Sequence, residues 1–156
     1  MPTRRSAGVL LFRRRADGIE VLLGHMGGPF WARKDVGAWS IPKGEPLGVE
    51  DLESTARREF EEEIGQPIPS VGPEIPLGSV QQSGGKTVTA WAFEGDLDVS
   101  EVVSNTFELE WPPRSGKVAS YPEVDRAAWL SPDEARRLIV KAQAEFIDRL
   151  EAHLAR

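Results

Sequence analysis

The sequence predicts an α/β protein of the α+β kind, a mixed β-sheet with helices packed on it. Two observations carry that prediction. The segments run in the order strands, helix, strands, helix. Within the first helix, Leu52, Ala56, Phe60 and Ile64 recur at four-residue steps and form one apolar stripe. At 156 residues the chain is long enough to close one core, so residues 1–156 are read as a single domain.

The elements follow in order. Ser6 to Arg14 reads as a strand and Ala16-Asp17-Gly18 as a turn. Ile19 to His25 reads as its hairpin partner. Gly27-Gly28-Pro29 breaks the chain, and a loop rich in aromatics and charge leads to Trp39-Ser40-Ile41, stopped by Pro42. Asp51 to Ile64 reads as a helix, with Asp51 as N-cap and Gly65 as the C-terminal glycine. Gln66 to Pro76 holds four prolines and reads as loop. Leu77 to Gln82 and Lys86 to Glu94 read as strands around Gly84-Gly85. In the second, Trp91 and Phe93 alternate with Ala90 and Ala92 and are expected to face a core. Val102 to Pro113 gives no clear signal, and Ala127 to Leu130 reads as a last short strand. Ser131-Pro132-Asp133-Glu134 starts a helix, with Ser as cap and Pro at the first position. That helix is expected to reach about Leu154, with a break near Val140.

Composition excludes several functions. There is no cysteine, hence no disulfide framework, thiol nucleophile or zinc–thiolate site. That suits a reducing compartment and a cytoplasmic location. The apolar run Ala7 to Phe12 is too short to span a bilayer, and no membrane association is expected. The arginines on either side of it read as charged ends of a buried strand. The net charge of −6, from 25 acidic and 19 basic residues, makes a stable nucleic-acid complex unexpected. A small phosphorylated substrate is still compatible, provided a divalent metal supplies positive charge.

Arg58-Glu59-Phe60-Glu61-Glu62-Glu63 puts four carboxylates into the last two turns of the first helix. The helix dipole disfavours negative charge there by about 0.3–1 kcal/mol per residue. At about 100° per residue, Glu59, Glu62 and Glu63 fall within an arc of roughly 100°, beside the apolar stripe. Glu61 and Arg57 point away. Converging carboxylates suit a hard divalent cation, Mg²⁺ or Mn²⁺. A solvated acidic face is the competing account of such a run.

The surrounding residues weigh against that account. Gly44, Glu50, Arg58, Glu59, Glu62, Glu63 and Gly65 stand at the spacing G-x5-E-x7-R-E-U-x-E-E-x-G-U, U being a bulky apolar residue. This resembles the signature box of the Nudix hydrolase family. Phe60 meets the first U, whereas Gln66 occupies the last and departs from the pattern. Ser6-Ala7-Gly8 and Trp39-Ser40-Ile41-Pro42-Lys43-Gly44 look like the same family, closest to its dinucleoside polyphosphate hydrolase branch.

The resemblance implies a mixed sheet sandwiched between helices and Mg²⁺-dependent hydrolysis of phosphoanhydride bonds in nucleoside diphosphate-linked compounds. Glu59, Glu62 and Glu63 would hold the metal, with a backbone carbonyl near Lys43-Gly44. Glu62 is also a candidate catalytic residue. Arg58 would orient the carboxylates and Glu50 would assist from the loop entering the helix. Glu123 is a candidate general base, set against an ordinary loop carboxylate. Lys43 could meet phosphate oxygens, and Trp31 and Trp39 could stack a base, although packing is the blander role for both. His25 and His153 are isolated and carry no expected chemistry. The partners implied are a small nucleotide-type substrate and, as is common in the family, a second copy in a homodimer. A nucleoside triphosphate pyrophosphohydrolase that clears damaged nucleotides and a non-catalytic ligand-binding module are the alternatives.

Overall fold

The computed structural model describes residues 4–156. Its main sheet is built on β1 (Arg4–Arg15), flanked by β2 (Gly18–Met26) and β6 (Lys86–Glu94). Beyond β2 lies β3 (Trp39–Ser40), and beyond β6 lies β5 (Ile75–Gln82). Two further strands join: β4 (Lys43–Gly44) pairs with β1, and β9 (Val124–Leu130) pairs with β2. The β1–β6 pair is parallel and the others are antiparallel, so the sheet is mixed as the sequence predicts. Separate from it stands a two-stranded sheet of β7 (Thr106–Glu110) and β8 (Val118–Pro122).

The helices cover both faces of the sheet. On one face, α1 (Leu52–Ile64) packs Ala56, Phe60 and Ile64 against Ala7, Val9, Leu11 and Phe93. On the other, Ala135 and Leu138 of α2 (Pro132–Leu138) and Phe146, Ile147 and Leu150 of α3 (Ala144–Leu154) pack against Leu10, Phe12, Val21 and Leu23. This explains the unbroken apolar run in β1: a strand covered on both faces has no solvent side to mark with polar residues. Each large side chain buried this way contributes about 1.5–3 kcal/mol. In β6, Phe93 is buried and Trp91 is half-buried over the α1 side, while Ala90 and Ala92 are fully buried on the other side. Both sides of that strand are therefore core, rather than the aromatic side alone.

Local signals set the helix ends. Asp51 accepts a hydrogen bond from the Ser54 amide (2.8 Å), and Gly65 closes α1 with a φ of 83°. The C-terminal helix breaks where the sequence suggests. Past Leu138, the Val140 amide bonds to the Trp39 carbonyl (2.8 Å), and a short 3-10 turn at Lys141–Gln143 leads into α3. Three details differ from the expectation: β5 begins at Ile75, inside the Pro-rich segment, β9 begins at Val124 rather than Ala127, and β7 forms within the unassigned Val102 to Pro113 stretch and pairs with β8 beyond it. None of the described helices is long and apolar enough to cross a membrane.

Candidate active site

The short β4 pairing brings the loop to the helix. Gly44 lies opposite Ala7 and Lys43 opposite Gly8, which seats this segment beside the C-terminal half of α1. A Cβ built on Gly44 would collide with the carboxylate of Glu59. Glycine at this position is therefore a space requirement, the loop and the acidic flank of α1 being in direct contact.

Arg58 organises the carboxylates. Its Nη1 donates to Glu59 Oε1 (2.8 Å) and Glu62 Oε2 (3.1 Å). Its Nε donates to Glu50 Oε2 (2.9 Å), and its Nη2 to Glu50 Oε1 and the Glu45 carbonyl (3.0 Å each). Glu50 also accepts from Thr55 Oγ1 (2.8 Å) and the Leu47 amide (3.2 Å). The Arg58 hydrogen bonds, reinforced by Thr55, hold the Glu50 carboxyl down to about 2. Both Glu50 oxygens are thus committed to fixing Arg58, and Glu50 reads as a positioning residue rather than a group that meets substrate.

Glu63 is the opposite case. Burial, then the negative charges of Glu59 and Glu123 against the opposing Lys43, push its carboxyl up to about 9. Glu59 is also raised, chiefly by burial and against the pull of Arg58. Burial raises Glu123 too, with Lys43 opposing. Lys43 is lowered by burial and by the nearby ammonium of Lys86, the first residue of β6. Lys43, Glu63 and Glu123 line one cleft of about 120 Å³, with Gly24, Met26, Ser40, Ile41 and Val124. A larger hollow of about 630 Å³ beside Gln82 and Lys141 contains only one carboxylate, Glu145.

Three chain segments far apart in sequence thus meet at this cleft. The Glu123 backbone is fixed by its amide on the Asn105 carbonyl and its carbonyl on the Gly27 amide (2.9 Å each). Asn105 in turn donates its amide to the Glu62 carbonyl (2.8 Å), tying the Glu123 segment to the end of α1. Among the described residues no three His, Asp or Glu side chains form a ready-made coordination set. The donor chemistry nonetheless fits a hard divalent cation. Glu59 and Glu63 are carboxylates whose ionisation burial disfavours, and a cation would offset that cost.

A family model for the NUDIX domain matches residues 2–150. The chain belongs to the Nudix family. Membership brings the enzyme class, a pyrophosphohydrolase acting on acid anhydrides of phosphorus, and the family's general use of divalent metal ions. Comparison with curated proteins gives no match. Solved structures similar to this Nudix domain include a Caenorhabditis elegans Ap4A hydrolase in a binary complex, at 20% identity and a TM-score of 0.66, covering 96% of this chain and 98% of that one. A Mycobacterium smegmatis Nudix hydrolase, RenU, has 23% identity and a TM-score of 0.64, with 98% and 86% covered. The NUDIX domain of Shewanella oneidensis NrtR, complexed with ADP ribose, has 15% identity and a TM-score of 0.64, with 99% and 90% covered.

The two tryptophans suggested for base stacking sit elsewhere. Trp39 is only 5% exposed and is part of the core. Its Nε1 donates to Asp35 (2.8 Å), His25 meets it edge-on at 5.2 Å, and the Arg126 guanidinium lies 5.2 Å from its ring. Enclosed in this way, Trp39 has no free face for a base and serves packing. Trp31 is half-buried against the same core, edge-on to Phe30 at 4.8 Å, and outside the lining of the cleft. Lys86 escaped the sequence reading because its place beside Lys43 arises from the parallel β1–β6 pairing, which no local signal marks.

Gln66, the one departure from the Nudix pattern, is also legible in the fold. Its Nε2 is buried and has no hydrogen-bond partner.

Proposed function

We propose that this Nudix hydrolase uses Mg²⁺ to cleave phosphoanhydride bonds in dinucleoside polyphosphates. The observation that carries this reading is the single cleft lined by Glu63, Lys43 and Glu123, with Glu59 pressed against Gly44 beside it. When bound, the metal would neutralise phosphate oxygens and lower the pKa of its water. Glu59, Glu62 and Glu63 would hold it, and Arg58, itself fixed by Glu50, keeps Glu59 and Glu62 in a defined arrangement.

Lys43 faces the same cleft and is the candidate cation for a phosphate oxygen. Glu123, which also lines this cleft, is the candidate acceptor of the proton from the attacking water. As the water oxygen bonds to phosphorus, the bridging P–O bond breaks and its electron pair leaves with the departing phosphate. The likeness in fold to an Ap4A hydrolase over nearly the whole of both chains supports the choice of substrate class.

The experiment is product analysis by mass after incubation with Mg²⁺. Cleavage of a dinucleoside tetraphosphate to two nucleotides is the expected result. A preference for nucleoside triphosphates, with release of monophosphate and pyrophosphate, would replace this reading with the nucleotide-clearing one. No turnover of either would sink both.

A further inference from the structure

The arm formed by β7 and β8 has no part in the site described above. It makes its own two-stranded sheet, and its second strand runs through Tyr121 and Pro122 directly into Glu123. Its register places Phe107 opposite Tyr121 and Leu109 opposite Ala119. Alternation along the strands puts these four side chains on one face. Thr106, Glu108, Glu110, Val118, Ser120 and Pro122 fall on the other. One face therefore gathers both aromatic side chains of the arm, while the other carries both of its glutamates.

At the root, the Phe107 ring lies over Gly28: a Cβ there would stand 3.0 Å from Phe107 Cζ. The neighbouring Gly27 lies against the Pro122 carbonyl, where any Cβ would collide. Residues 27 and 28 directly follow Met26, which lines the cleft. The Phe107–Tyr121 pair, centroids 6.1 Å apart and tilted by 43°, thus stands at the cleft's edge, next to Glu123. At the far end Trp111 is 37% exposed. The turn carries Arg114 and Lys117, and among the described residues neither takes part in an ion pair. The turn is nonetheless well defined, because Glu110 accepts the backbone amides of Arg114 (3.0 Å) and Gly116 (3.1 Å).

We infer that the arm is a nucleoside-binding element: Phe107 and Tyr121 stack the base of the nucleotide that lies beyond the reacting phosphates. Aromatic side chains stack bases of any identity. Two residues of the cleft lining adjoin the pair: Glu123 follows Tyr121 by two residues, and Met26 precedes Gly28, on which Phe107 lies, by two. This role rests on the reading of a nucleotide substrate.

The test uses the full chain and a non-hydrolysable dinucleoside tetraphosphate analogue with Mg²⁺, followed by calorimetry. Phe107→Ala and Tyr121→Ala are each expected to weaken binding by about tenfold or more, the scale of one lost stacking contact. Phe107→Tyr is expected to retain it, which separates stacking from a folding defect. Inhibition of turnover by inorganic tripolyphosphate, which has no base, is expected to be unchanged in the alanine variants. Equal analogue affinity in wild type and both alanine variants, with unchanged melting curves, would overturn the role of the arm while leaving the hydrolase reading intact. Conversion of a dimer to a monomer by Phe107→Ala at unaltered analogue affinity would make the face an interface between copies, and would also overturn it. Arm-dependent binding by a protein that hydrolyses nothing would support the arm and defeat the proposed activity.

Discussion

Gly44 and Glu59 are in direct contact, the carboxylate of one filling the space a side chain on the other would need. Because the obstacle is the far end of a flexible side chain, Gly44→Ala can be accommodated by moving Glu59. The expected outcome is a small change in melting temperature with a loss of kcat/KM of about a hundredfold, as a displacement near 1 Å at a metal-binding carboxylate can produce. Weaker Mg²⁺ dependence in the titration of activity would accompany it. A variant as active as the wild type would show that the contact is packing alone.

Glu63 makes stability depend on pH and metal. Its carboxyl is raised to about 9 in the fold, above its ordinary value near 4.5. A raised carboxyl favours folding below the ordinary value, and that contribution is lost as pH climbs through the folded value. Metal-free protein should therefore become less stable from about pH 5 to pH 9, and Glu63→Gln should flatten this trend. Added Mg²⁺ should stabilise the wild type more as pH rises and the variant much less. Melting curves across that range, with and without metal, measure both.

Glu50 acts through Arg58. Glu50→Gln keeps the shape of the side chain but removes the charge that anchors the guanidinium. The expected cost is about 10–100-fold in activity or metal affinity, the usual range for a residue that orients metal-binding groups. Arg58→Lys should not substitute, since a lysine cannot hold Glu50, Glu59 and Glu62 from one planar fork.

His25 is fully buried, and its ring spans two parts of the chain. Nε2 donates to the Lys34 carbonyl (2.7 Å), and Nδ1 is 2.9 Å from Asp125 Oδ1. His25→Phe would strand the Lys34 carbonyl and remove one of the partners of Asp125, which keeps Arg126. A loss of about 1–3 kcal/mol is expected from urea unfolding.

Gln66 offers the reverse. Its Nε2 is buried without a partner. Gln66→Leu restores the apolar residue of the family pattern and is expected to raise stability by about 1 kcal/mol, with activity unchanged. Denaturant midpoints and kcat/KM read the two separately.

Much of this was legible beforehand, and the reason is local. Asp51 and Gly65 mark the ends of α1 because a cap and a left-handed glycine each act within one turn. The hairpin of β1 and β2, the paired β5 and β6 and the break near Val140 follow from turn residues and short-range patterns. The arm was illegible for the same reason. Its strands are short, β7 carries two glutamates among five residues, and the turn between them is long, so neither propensity nor spacing stands out. Between packing and stacking, sequence alone did not decide for Trp39, because its enclosure comes from His25, Asp35 and Arg126, which the fold brings to it.

The sequence by itself determined the acidic flank of α1, since Glu59, Glu62 and Glu63 share an arc through helical period alone. It determined the family as well, through seven residues at fixed spacing from Gly44 to Gly65. Only the tertiary structure decided what faces those carboxylates. Lys43 arrives through the β4–β1 pairing, with Lys86 set near it by the parallel β1–β6 pairing, and Glu123 through backbone bonds to Gly27 and Asn105. Hydrogen bonding and burial then separated chemically similar residues. Glu50, bound by Arg58, is held near 2, and Glu63, buried beside other carboxylates, is pushed up to about 9. The spacing of residues along a chain specifies which groups one helix can present together, but their charge state depends on neighbours that long-range packing supplies.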